Sequence, residues 1–303
     1  MYKIAVLLTT YNSQSFIEEQ LKSILNQEKV NVTIFISDDF SKDNTLDIAK
    51  KIIPKEKLII LNNDKPFGKP GLNFFSLVER VYDEIFDYYC FADHDDIWNI
   101  EKLIRGVELI IKTNAKGYSS SFHSFYENNK PKKYISKHPI QRRIDHIFSS
   151  PGPGCTFILE KNSYNILRQK FIQKREIFLN CEYHDWAIYA FYRAMCIPWV
   201  IDDRSFIDYR QHSANDTGAN SGVKAYKKRL RLFINRAYES QVAAIARLVN
   251  EFNPKVTTEI CTLNKLQYYY LLLKESRRSY KDRLILLIIS IFALLRKKII
   301  FQT

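Results

Sequence analysis

The chain has 303 residues, of which 46% are hydrophobic and 14% are aromatic. This length and composition allow one large domain, or one domain with a smaller appendage, and exclude a chain that is mainly disordered or of low complexity. Lys and Arg outnumber Asp and Glu by 46 to 33, which gives a formal net charge of +13.

The positive charge is concentrated in the last quarter of the chain. Residues 223–303 hold 17 Lys and Arg against 5 Asp and Glu, whereas residues 1–222 hold 29 against 28. This asymmetry predicts an anionic partner for the C-terminal segment, either nucleic acid or a membrane surface. The five cysteines are odd in number and form no CxxC pair, so neither a disulfide framework nor a zinc site is expected and a reducing compartment fits.

The first 110 residues alternate between strand-like and helix-like patterns. The opening "MYKIAVLLTTYN" is interpreted as a first strand and not as a signal peptide. Strands are predicted over residues 3–10, 32–38, 57–61 and 86–93, and helices over 14–28, 43–53 and 71–85. This order predicts an α/β fold with a mainly parallel, Rossmann-like sheet and helices on both faces.

The pattern is more broken from residue 113 to residue 222. Strands are predicted in "GYSSSFHSFY", "CTFIL", "CIPWVID" and "RSFIDYR", a helix over 184–193, and a mobile loop over 127–143. After residue 222 only helices are predicted, at about 223–250, 255–278 and 281–300. The predicted domains are therefore 1–222, with halves of about 1–112 and 113–222, and a basic helical region over 223–303.

A cluster of carboxylates follows the fourth predicted strand. The stretch "FADHDDIW" contains Asp93, His94, Asp95 and Asp96. Closely packed carboxylates repel each other, and burying them without a positive partner costs several kcal/mol or more. A polar turn that caps the next helix is the alternative, but a cap requires one Asp and not three. The cluster therefore favours a site for Mg²⁺ or Mn²⁺, which prefer oxygen ligands and also bind substrate phosphates.

Two further polar clusters follow predicted strands, and ligands of such sheets bind beyond the carboxyl ends of the strands. In "SDDFSKDNT", Asp43 could simply cap a helix, whereas Asp39 could accept a hydrogen bond from a pyrimidine N3–H. In "TTYN", Tyr11 could face the core or stack on a base. Neither a GxGxxG nor a Walker A sequence is present, so a bound phosphate would need a cation or side chains to neutralise it.

Two candidates for chemistry lie in the second half of the catalytic region. In "EYHDWAIYAF", Asp185 begins a predicted helix and could be a helix cap or a general base. In "YRQHSAND", His212 could be a metal ligand or a donor to a diphosphate, and Arg210 a phosphate clamp.

Taken in order, "TTYN", "SDDFSKDNT", "FADHDDIW", "HDW" and "YRQHSANDTGA" resemble the motifs of inverting family 2 glycosyltransferases of the GT-A fold. The last three together resemble the rhamnosyltransferase branch of bacterial capsule or cell-wall polysaccharide synthesis. One departure is His94, which stands where a small residue or Gln is expected.

The resemblance implies a role for each matching residue. Thr9, Tyr11 and Asp39 would bind the nucleoside, and Lys69 or Asn73 in "FGKPGLN" would lie near the nucleotide. Asp93 would face the ribose or the metal. The remaining roles are metal ligation by Asp95, Asp96 and His212, approach to the diphosphate by His212 with Arg210, and lining of the sugar pocket by "SPGPGC", including Gly154.

The implied reaction is an in-line attack of an acceptor hydroxyl on a nucleotide-sugar, with Asp185 removing the hydroxyl proton. The donor would be dTDP-rhamnose or a UDP-sugar, and the acceptor a saccharide on a polyprenyl diphosphate lipid. Two alternatives stay open: another metal-dependent nucleotidyltransferase or phosphohydrolase, and a non-catalytic basic adaptor. A nucleic-acid partner is not expected, because no DNA-binding motif or interleaved exposed aromatic pattern is clear in the basic region.

The C-terminal region contains an uncharged run of 12 residues, "LILLIISIFALL", at 284–295. A helix of this length extends about 18 Å, too short to span a hydrocarbon core of about 30 Å. With the basic segments "KAYKKRLRLF" and "KESRRSYKDR", the run predicts peripheral attachment to the anionic cytoplasmic face of the membrane. A helical hairpin that caps the catalytic domain, or forms a homodimer interface, is the alternative.

Overall fold

The computed structural model describes residues 1–126, 131–137, 140–212 and 237–291. Within these residues one mixed sheet contains strands β1 (Tyr2–Thr10), β2 (Val30–Asp38), β3 (Leu58–Leu61), β4 (Tyr88–Ala92), β5 (Ile97–Trp98), β6 (Gly117–Phe125), β7 (Lys133–Ile135), β8 (Ile158–Glu160) and β9 (Trp199–Arg210). The strand order is β3-β2-β1-β4-β8-β6-β9-β5, with β7 paired to β6.

Helices cover both faces of this sheet. They are α1 (Ile17–Leu25), α2 (Thr45–Ile52), α3 (Pro70–Arg80), α4 (Lys102–Thr113), α5 (Asp145–Phe148), α6 (Lys161–Gln173), α7 (Arg175–Leu179), α8 (His184–Ala194), α9 (Ala237–Phe252), α10 (Pro254–Thr262), α11 (Lys265–Glu275) and α12 (Tyr280–Ile291). The residues of β1 and β4 divide between two buried hydrophobic clusters. One cluster contains Leu7 and Phe91, and the other contains Leu8 and Cys90. Alternate residues of a strand point to opposite faces, so one cluster lies on each face of the sheet.

The first four strands form the predicted parallel half. β1 pairs in parallel with β2 and β4, and β2 pairs in parallel with β3. The register places Thr10 opposite Asp38 and Leu8 opposite Ala92. The three polar clusters that follow β1, β2 and β4 therefore meet at one edge of the sheet, as the sequence predicts.

The second half corrects the prediction of a mainly parallel sheet. β8 is antiparallel to β4 and β6, and β5 is antiparallel to β9, whereas β6 and β9 are parallel. The segments "CIPWVID" and "RSFIDYR" are not two strands but one, β9, which continues through its polar middle by a shift of register against β6. Ser120 lies opposite Asp202 while Ser121 lies opposite Ser205, so Asp203 and Arg204 form a bulge.

Other boundaries also differ from the prediction. The predicted loop over 127–143 contains β7, which pairs with β6, and its residues 127–130 and 138–139 lie outside the described part. "CTFIL" begins in a 3₁₀ turn at Gly154–Thr156, and only its end belongs to β8. Helices α5, α6 and α7 were not predicted.

The C-terminal helices pack on the catalytic region. The apolar side chains Val242, Ile245, Leu248 and Val249 of α9 are fully buried and belong to the same core cluster as α8. Burial of each such side chain contributes about 1.5–3 kcal/mol. The predicted boundary at residue 222 and the start of the predicted helix 223–250 lie outside the described residues.

The predicted helix over 255–278 is two helices. Asn264 interrupts it, because its side chain accepts from the Gln267 amide while the Gln267 side chain accepts from the Asn264 amide, a capping box that begins α11. The predicted helix 281–300 is described only as far as Ile291. Among the described helices none has the length and apolar character needed to cross a bilayer.

Candidate active site

The nucleoside-binding candidates gather at the ends of β1 and β2. The Thr10 hydroxyl donates to Asp38 over 2.6 Å, and the Asp39 amide donates to the Thr10 carbonyl over 2.8 Å. Thr9 is buried, whereas Tyr11 is 56% exposed. Of the two alternatives for Tyr11, the one in which it faces the core is therefore wrong, and its stacking on a base stays a prediction.

Asp39 organises the loop that follows β3. Its carboxylate accepts hydrogen bonds from the backbone amides of Phe67 and Gly68, the latter over 2.9 Å. Gly68 has a φ of +69°, a conformation that favours glycine. Because each carboxylate oxygen has a second lone pair, Asp39 keeps acceptor capacity for a base N–H.

Lys69 and Asn73 both lie at the start of α3, where the Asn73 amide donates to the Lys69 carbonyl over 3.3 Å. Lys69 is exposed. Asn73 is 2% exposed, and its Nδ2 donates to the Ser37 carbonyl over 2.9 Å. Its Oδ1 is buried with no hydrogen-bond partner in the described part of the chain. Asn73 therefore fixes the end of β2, and its contact with a nucleotide stays a prediction.

The carboxylate cluster is largely buried. Asp95 and Asp96 are 5% and 0% exposed, and Asp93 is partly buried. Burial raises the pKa of Asp96 well above its usual value, and the negative charges of Asp95 and Asp93 raise it further. Asp96 Oδ2 is buried with no hydrogen-bond partner among the described residues. Such an environment favours a positive charge.

Cys155 joins this cluster, whereas the resemblance implies for it only a place in "SPGPGC", the lining of the sugar pocket. One ligand atom from each of Asp93, Asp96 and Cys155 lies within 4.8 Å of the others. Burial and the neighbouring carboxylates raise the pKa of the Cys155 thiol. The only signal in the sequence was its position at the end of "SPGPGC".

His94 ties the carboxylate turn to β1. Burial lowers the pKa of His94, while the charge of Asp95 and a hydrogen bond with the Thr9 backbone act in the opposite direction. The departure from the expected small residue or Gln is therefore accommodated by contact with the neighbouring strand end.

Residues at and after the end of β9 contact the carboxylate cluster. His212 Nε2 lies 2.7 Å from Asp95 Oδ2, and the His212 ring stacks on Phe16 with centroids 4.8 Å apart. The Arg210 amide donates to Asp96 over 3.2 Å, and its Nε donates to the Asp95 carbonyl over 2.8 Å. His212 thus lies beside the predicted metal ligands, as the sequence suggests.

Arg210 is held more tightly than a free phosphate clamp would be. Its side chain also pairs with Glu19 and lies between the rings of Phe16 and Phe125, at 5.1 and 4.8 Å from their centroids. These contacts make Arg210 a brace for the carboxylate turn, and its contact with a diphosphate stays a prediction.

A divalent cation fits the residues at this edge. The carboxylates of Asp93, Asp95 and Asp96 supply hard oxygen donors, and Asp96 Oδ2 is a buried oxygen whose ionised form a bound cation would stabilise. The Cys155 thiol and the His212 imidazole are softer donors at its margin.

Asp185 occupies the first turn of α8. Its Oδ1 accepts from the Trp186 amide over 2.6 Å, and its Oδ2 accepts from the Ser150 hydroxyl over 3.1 Å. Burial raises the pKa of Asp185 to about 6, although both hydrogen bonds and the charge of Lys137 lower it. A carboxylate with a pKa near the working pH is suited to act as a general base.

The loop 150–155 joins the two parts of the site. Ser150 contacts Asp185, and Cys155 contacts the carboxylate cluster. Five residues span at most about 18 Å, which limits how far apart these two contacts of the loop lie. Between them, Gly154 is so close to His184 that an added Cβ would lie 2.3 Å from Nε2. The predicted Gly154 is thus a packing contact at the centre of the site.

One basic segment is positive at its surface only in part. "KESRRSYKDR" is predicted to present a positive surface, and Lys274 and Lys281 are exposed, but Arg277 and Arg278 point into the protein. Arg277 donates to the Tyr238 hydroxyl over 2.7 Å, and Arg278 pairs with Asp145 over 3.0 Å. Buried Asp145 requires positive partners, which explains the inward direction. The other segment, "KAYKKRLRLF", lies outside the described residues.

Comparison with known proteins gives consistent results. Residues 5–181 match the family Glycosyl transferase family 2. The chain is 38% identical to the dTDP-rhamnosyl transferase RfbG of Shigella flexneri over 241 residues, which are 79% of this chain and 83% of that protein.

A second relative and a solved structure are more distant. The UDP-Glc:alpha-D-GlcNAc-diphosphoundecaprenol beta-1,3-glucosyltransferase WfgD of Escherichia coli is 23% identical over 59% of this chain and 68% of its own. S. aureus TarS 1–349 in complex with UDP-GlcNAc superposes with a TM-score of 0.54 at 17% identity, covering 89% of this chain and 79% of that one. At this identity the structural likeness shows the fold alone.

Proposed function

The chain belongs to glycosyl transferase family 2, and from this membership we propose that it transfers L-rhamnose from dTDP-rhamnose to a lipid-linked saccharide. The observation that carries the choice of sugar is the 38% identity to a dTDP-rhamnosyl transferase over most of both chains. Family membership decides against the two alternatives, a nucleotidyltransferase or phosphohydrolase and a basic adaptor. The proposed setting is the synthesis of a bacterial surface polysaccharide.

Asp185 is the proposed general base. Its carboxylate removes the proton of the acceptor hydroxyl as that oxygen bonds to the anomeric carbon, while the bond from this carbon to the nucleotide diphosphate breaks. The anomeric configuration inverts in this single displacement. The hydrogen bonds from Ser150 and the Trp186 amide fix the carboxylate in place, so little reorganisation is needed during the reaction.

The donor is proposed to lie along the ends of β1, β2 and β4. Asp39, with Tyr11 exposed beside it, receives the base, because its carboxylate retains acceptor capacity at a rigid loop. Asp93, Asp95 and Asp96 would hold Mg²⁺ or Mn²⁺, with His212 at its margin. When bound, such a cation stabilises the charge that develops on the leaving diphosphate.

The acceptor is proposed to be a saccharide on a polyprenyl diphosphate, and the enzyme to lie peripherally on the cytoplasmic face of the membrane. One relative, WfgD, is named for a diphosphoundecaprenol acceptor. The hairpin formed by α11 and α12 exposes Leu266, Tyr270, Ile288 and Ile291, each more than half accessible. Lys265, Lys274 and Lys281 are exposed on the same two helices, so apolar and basic groups occur together. Pairing of two such hairpins in a homodimer would cover the same apolar groups.

A panel of nucleotide-sugars tests the choice of donor. The purified chain is incubated with Mn²⁺, a polyprenyl-diphosphate saccharide and either dTDP-rhamnose, dTDP-glucose, UDP-glucose or UDP-GlcNAc, and the released nucleoside diphosphate is measured. The proposal predicts that dTDP-rhamnose gives the highest acceptor-dependent release. Preference for a UDP-sugar would contradict the proposed donor.

A further inference from the structure

The C-terminal helices place one buried arginine among segments that contact Asp185 or its helix. Arg278 lies in the turn between α11 and α12, and its side chain is only 7% exposed. Its three donor nitrogens bind three different segments. Nη2 donates to the Ser150 carbonyl over 2.5 Å, Nη1 to Asp145 over 3.0 Å, and Nε to the Lys137 carbonyl over 3.0 Å.

Each of these segments either contacts Asp185 or its helix, or acts on Asp185 through its charge. Ser150 donates its hydroxyl to Asp185. Lys137 supplies the positive charge that acts on Asp185. Asp145 accepts from Tyr189 over 3.1 Å and from Arg193 over 2.9 Å.

Asp185, Tyr189 and Arg193 are spaced four residues apart on α8. Residues four apart on a helix lie on one face, so Asp145 holds the same face of α8 that carries the base at its first turn. The guanidinium group of Arg278 therefore binds three parts of the site. It binds the face of α8 through Asp145, the loop that bears Ser150, and the segment that bears Lys137. A planar guanidinium with five N–H donors suits three such partners, whereas a lysine does not.

We propose that Arg278 is a positioning residue that holds Ser150 and Lys137 against Asp185, and so links the C-terminal helices to catalysis. Its guanidinium nitrogens are engaged by these three protein partners, so Arg278 acts through them. This inference rests on the proposed function, because it requires Asp185 to be the base.

Several charged or titratable groups surround this region of the structure. They are Lys137 after β7, Asp145 and His146 on α5, His184, Tyr189 and Arg193 on α8, Tyr238 on α9, and Arg277 and Arg278 in the hairpin turn. Burial lowers the pKa of both His146 and His184 to about 3, so neither carries a charge near neutral pH. Lys137 is the charge that acts directly on Asp185.

The test compares Arg278→Gln, Arg278→Lys, Ser150→Ala and the Arg278→Gln/Ser150→Ala double variant with the wild type. Arg278→Gln should reduce acceptor-dependent turnover by about 10- to 100-fold, the scale of a small displacement of a catalytic group. Donor affinity should stay within about twofold of the wild type, because the Arg278 contacts lie on the base side. The acid limb of the turnover profile should move to higher pH, since the Ser150 hydrogen bond and the Lys137 charge both favour the carboxylate form.

Two comparisons separate positioning from a loss of folding. Arg283→Gln removes an arginine from the same hairpin that donates only to the Lys274 carbonyl among its described hydrogen bonds, and it should leave turnover unchanged. If Arg278→Gln does not fold, Arg278→Lys keeps a positive charge beside Asp145 and should still show the shifted acid limb. The double variant should be little slower than the slower single variant, because both changes act through one contact.

The outcomes are distinct for the two claims. If Asp185→Asn retains wild-type turnover, the proposed function fails. If Asp185→Asn is impaired while Arg278→Gln and Arg278→Lys match the wild type in turnover and pH profile, the positioning role is overturned. Fully multiplicative effects of Arg278→Gln and Ser150→Ala would also overturn it.

Discussion

His212 Nε2 lies 2.7 Å from Asp95 Oδ2, although the two residues are 117 positions apart in the chain. The end of β9 brings them together, and Arg210 braces the same turn through the Asp95 carbonyl and the Asp96 carboxylate. The carboxylate cluster therefore depends on two parts of the sheet. The turn after β4 supplies Asp95 and Asp96, and the end of β9 supplies Arg210 and His212. A substitution in either part of the sheet should therefore disturb the proposed metal site.

Asp95→Asn should abolish most metal-dependent activity. A neutral amide is a poor ligand for a hard cation, and the loss of several kcal/mol of charge stabilisation corresponds to about 10²-fold or more in rate. Turnover and dTDP binding are measured as Mn²⁺ is titrated. Asp47→Asn, on the exposed face of α2, is the control and should behave as the wild type. Unchanged turnover and metal dependence in a folded Asp95→Asn variant would remove Asp95 from the site.

Asp185→Asn should reduce transfer by about 10²- to 10⁴-fold, the usual contribution of a positioned general base. Donor affinity should change little, because Asp185 acts on the acceptor. Glu182→Gln is a matched control, since Glu182 is an exposed acidic residue three positions earlier. A large loss of donor affinity or of thermal stability with a high residual rate would instead identify Asp185 as a binding or capping residue.

The turnover of the wild type should fall as the pH drops through about 6. Burial raises the pKa of Asp185 to about 6 in the folded protein, and the base must be ionised to accept a proton. Activity is therefore present above this pH and lost below it. Ser150→Ala should move the acid limb to higher pH, because the Ser150 hydroxyl stabilises the carboxylate form. If the acid limb does not move in this variant, the Ser150 hydrogen bond does not set the pKa of Asp185.

Gly154→Ala should both destabilise the protein and slow transfer. The added Cβ would lie 2.3 Å from His184 Nε2, and the His184 ring cannot retreat easily because it stacks on Phe74 with centroids 4.0 Å apart. Overpacking of this kind costs about 1–3 kcal/mol. Thermal unfolding and turnover are measured in the wild-type and His184→Ala backgrounds. Gly154→Ala should reduce thermal stability and turnover less in the His184→Ala background than in the wild type. Equal losses in both backgrounds would show that the added Cβ does not clash with His184.

Ile288→Asp/Ile291→Asp should reduce binding to vesicles that contain anionic lipid. Both side chains are more than half exposed on α12, so their replacement removes apolar contact without disturbing the described core. Flotation is measured at low and high salt, with Ile85→Asp as a control at an exposed apolar position before β4. Equal flotation of the hairpin variant and the control would contradict the membrane assignment. Concentration-dependent dimerisation that is lost in the hairpin variant would favour the homodimer instead.

The sequence allows the parallel half of the fold to be predicted because its signals are local. Apolar runs such as residues 3–10 give the strands, and their parallel register brings Thr10, Asp38 and the residues after Ala92 to one edge. Asp185 and His212 are candidates for the same reason, since Asp185 lies in the first turn of α8 and His212 follows β9, and their roles stay predictions.

Long-range contacts account for what the sequence did not predict. The bulge at Asp203–Arg204 looked like a break between two strands, because its polar residues interrupt the apolar pattern. The resemblance implies only that Ser150 and Cys155 line the sugar pocket as part of "SPGPGC". Their contacts with Asp185 and with the carboxylate cluster depend on the folded path of this loop. Arg278 looked like a surface charge because its partners, Asp145 and the Ser150 carbonyl, come from segments more than 120 residues away.

The stereochemistry of the product tests the central claim most directly. Wild-type enzyme is incubated with dTDP-rhamnose, Mn²⁺ and a polyprenyl-diphosphate saccharide, and the anomeric configuration of the transferred sugar is determined by NMR. A single displacement with Asp185 as the base predicts a rhamnosyl product whose anomeric configuration is opposite to that of the donor, and whose formation is lost in Asp185→Asn. A rhamnosyl product that retains the donor configuration would contradict the proposed mechanism.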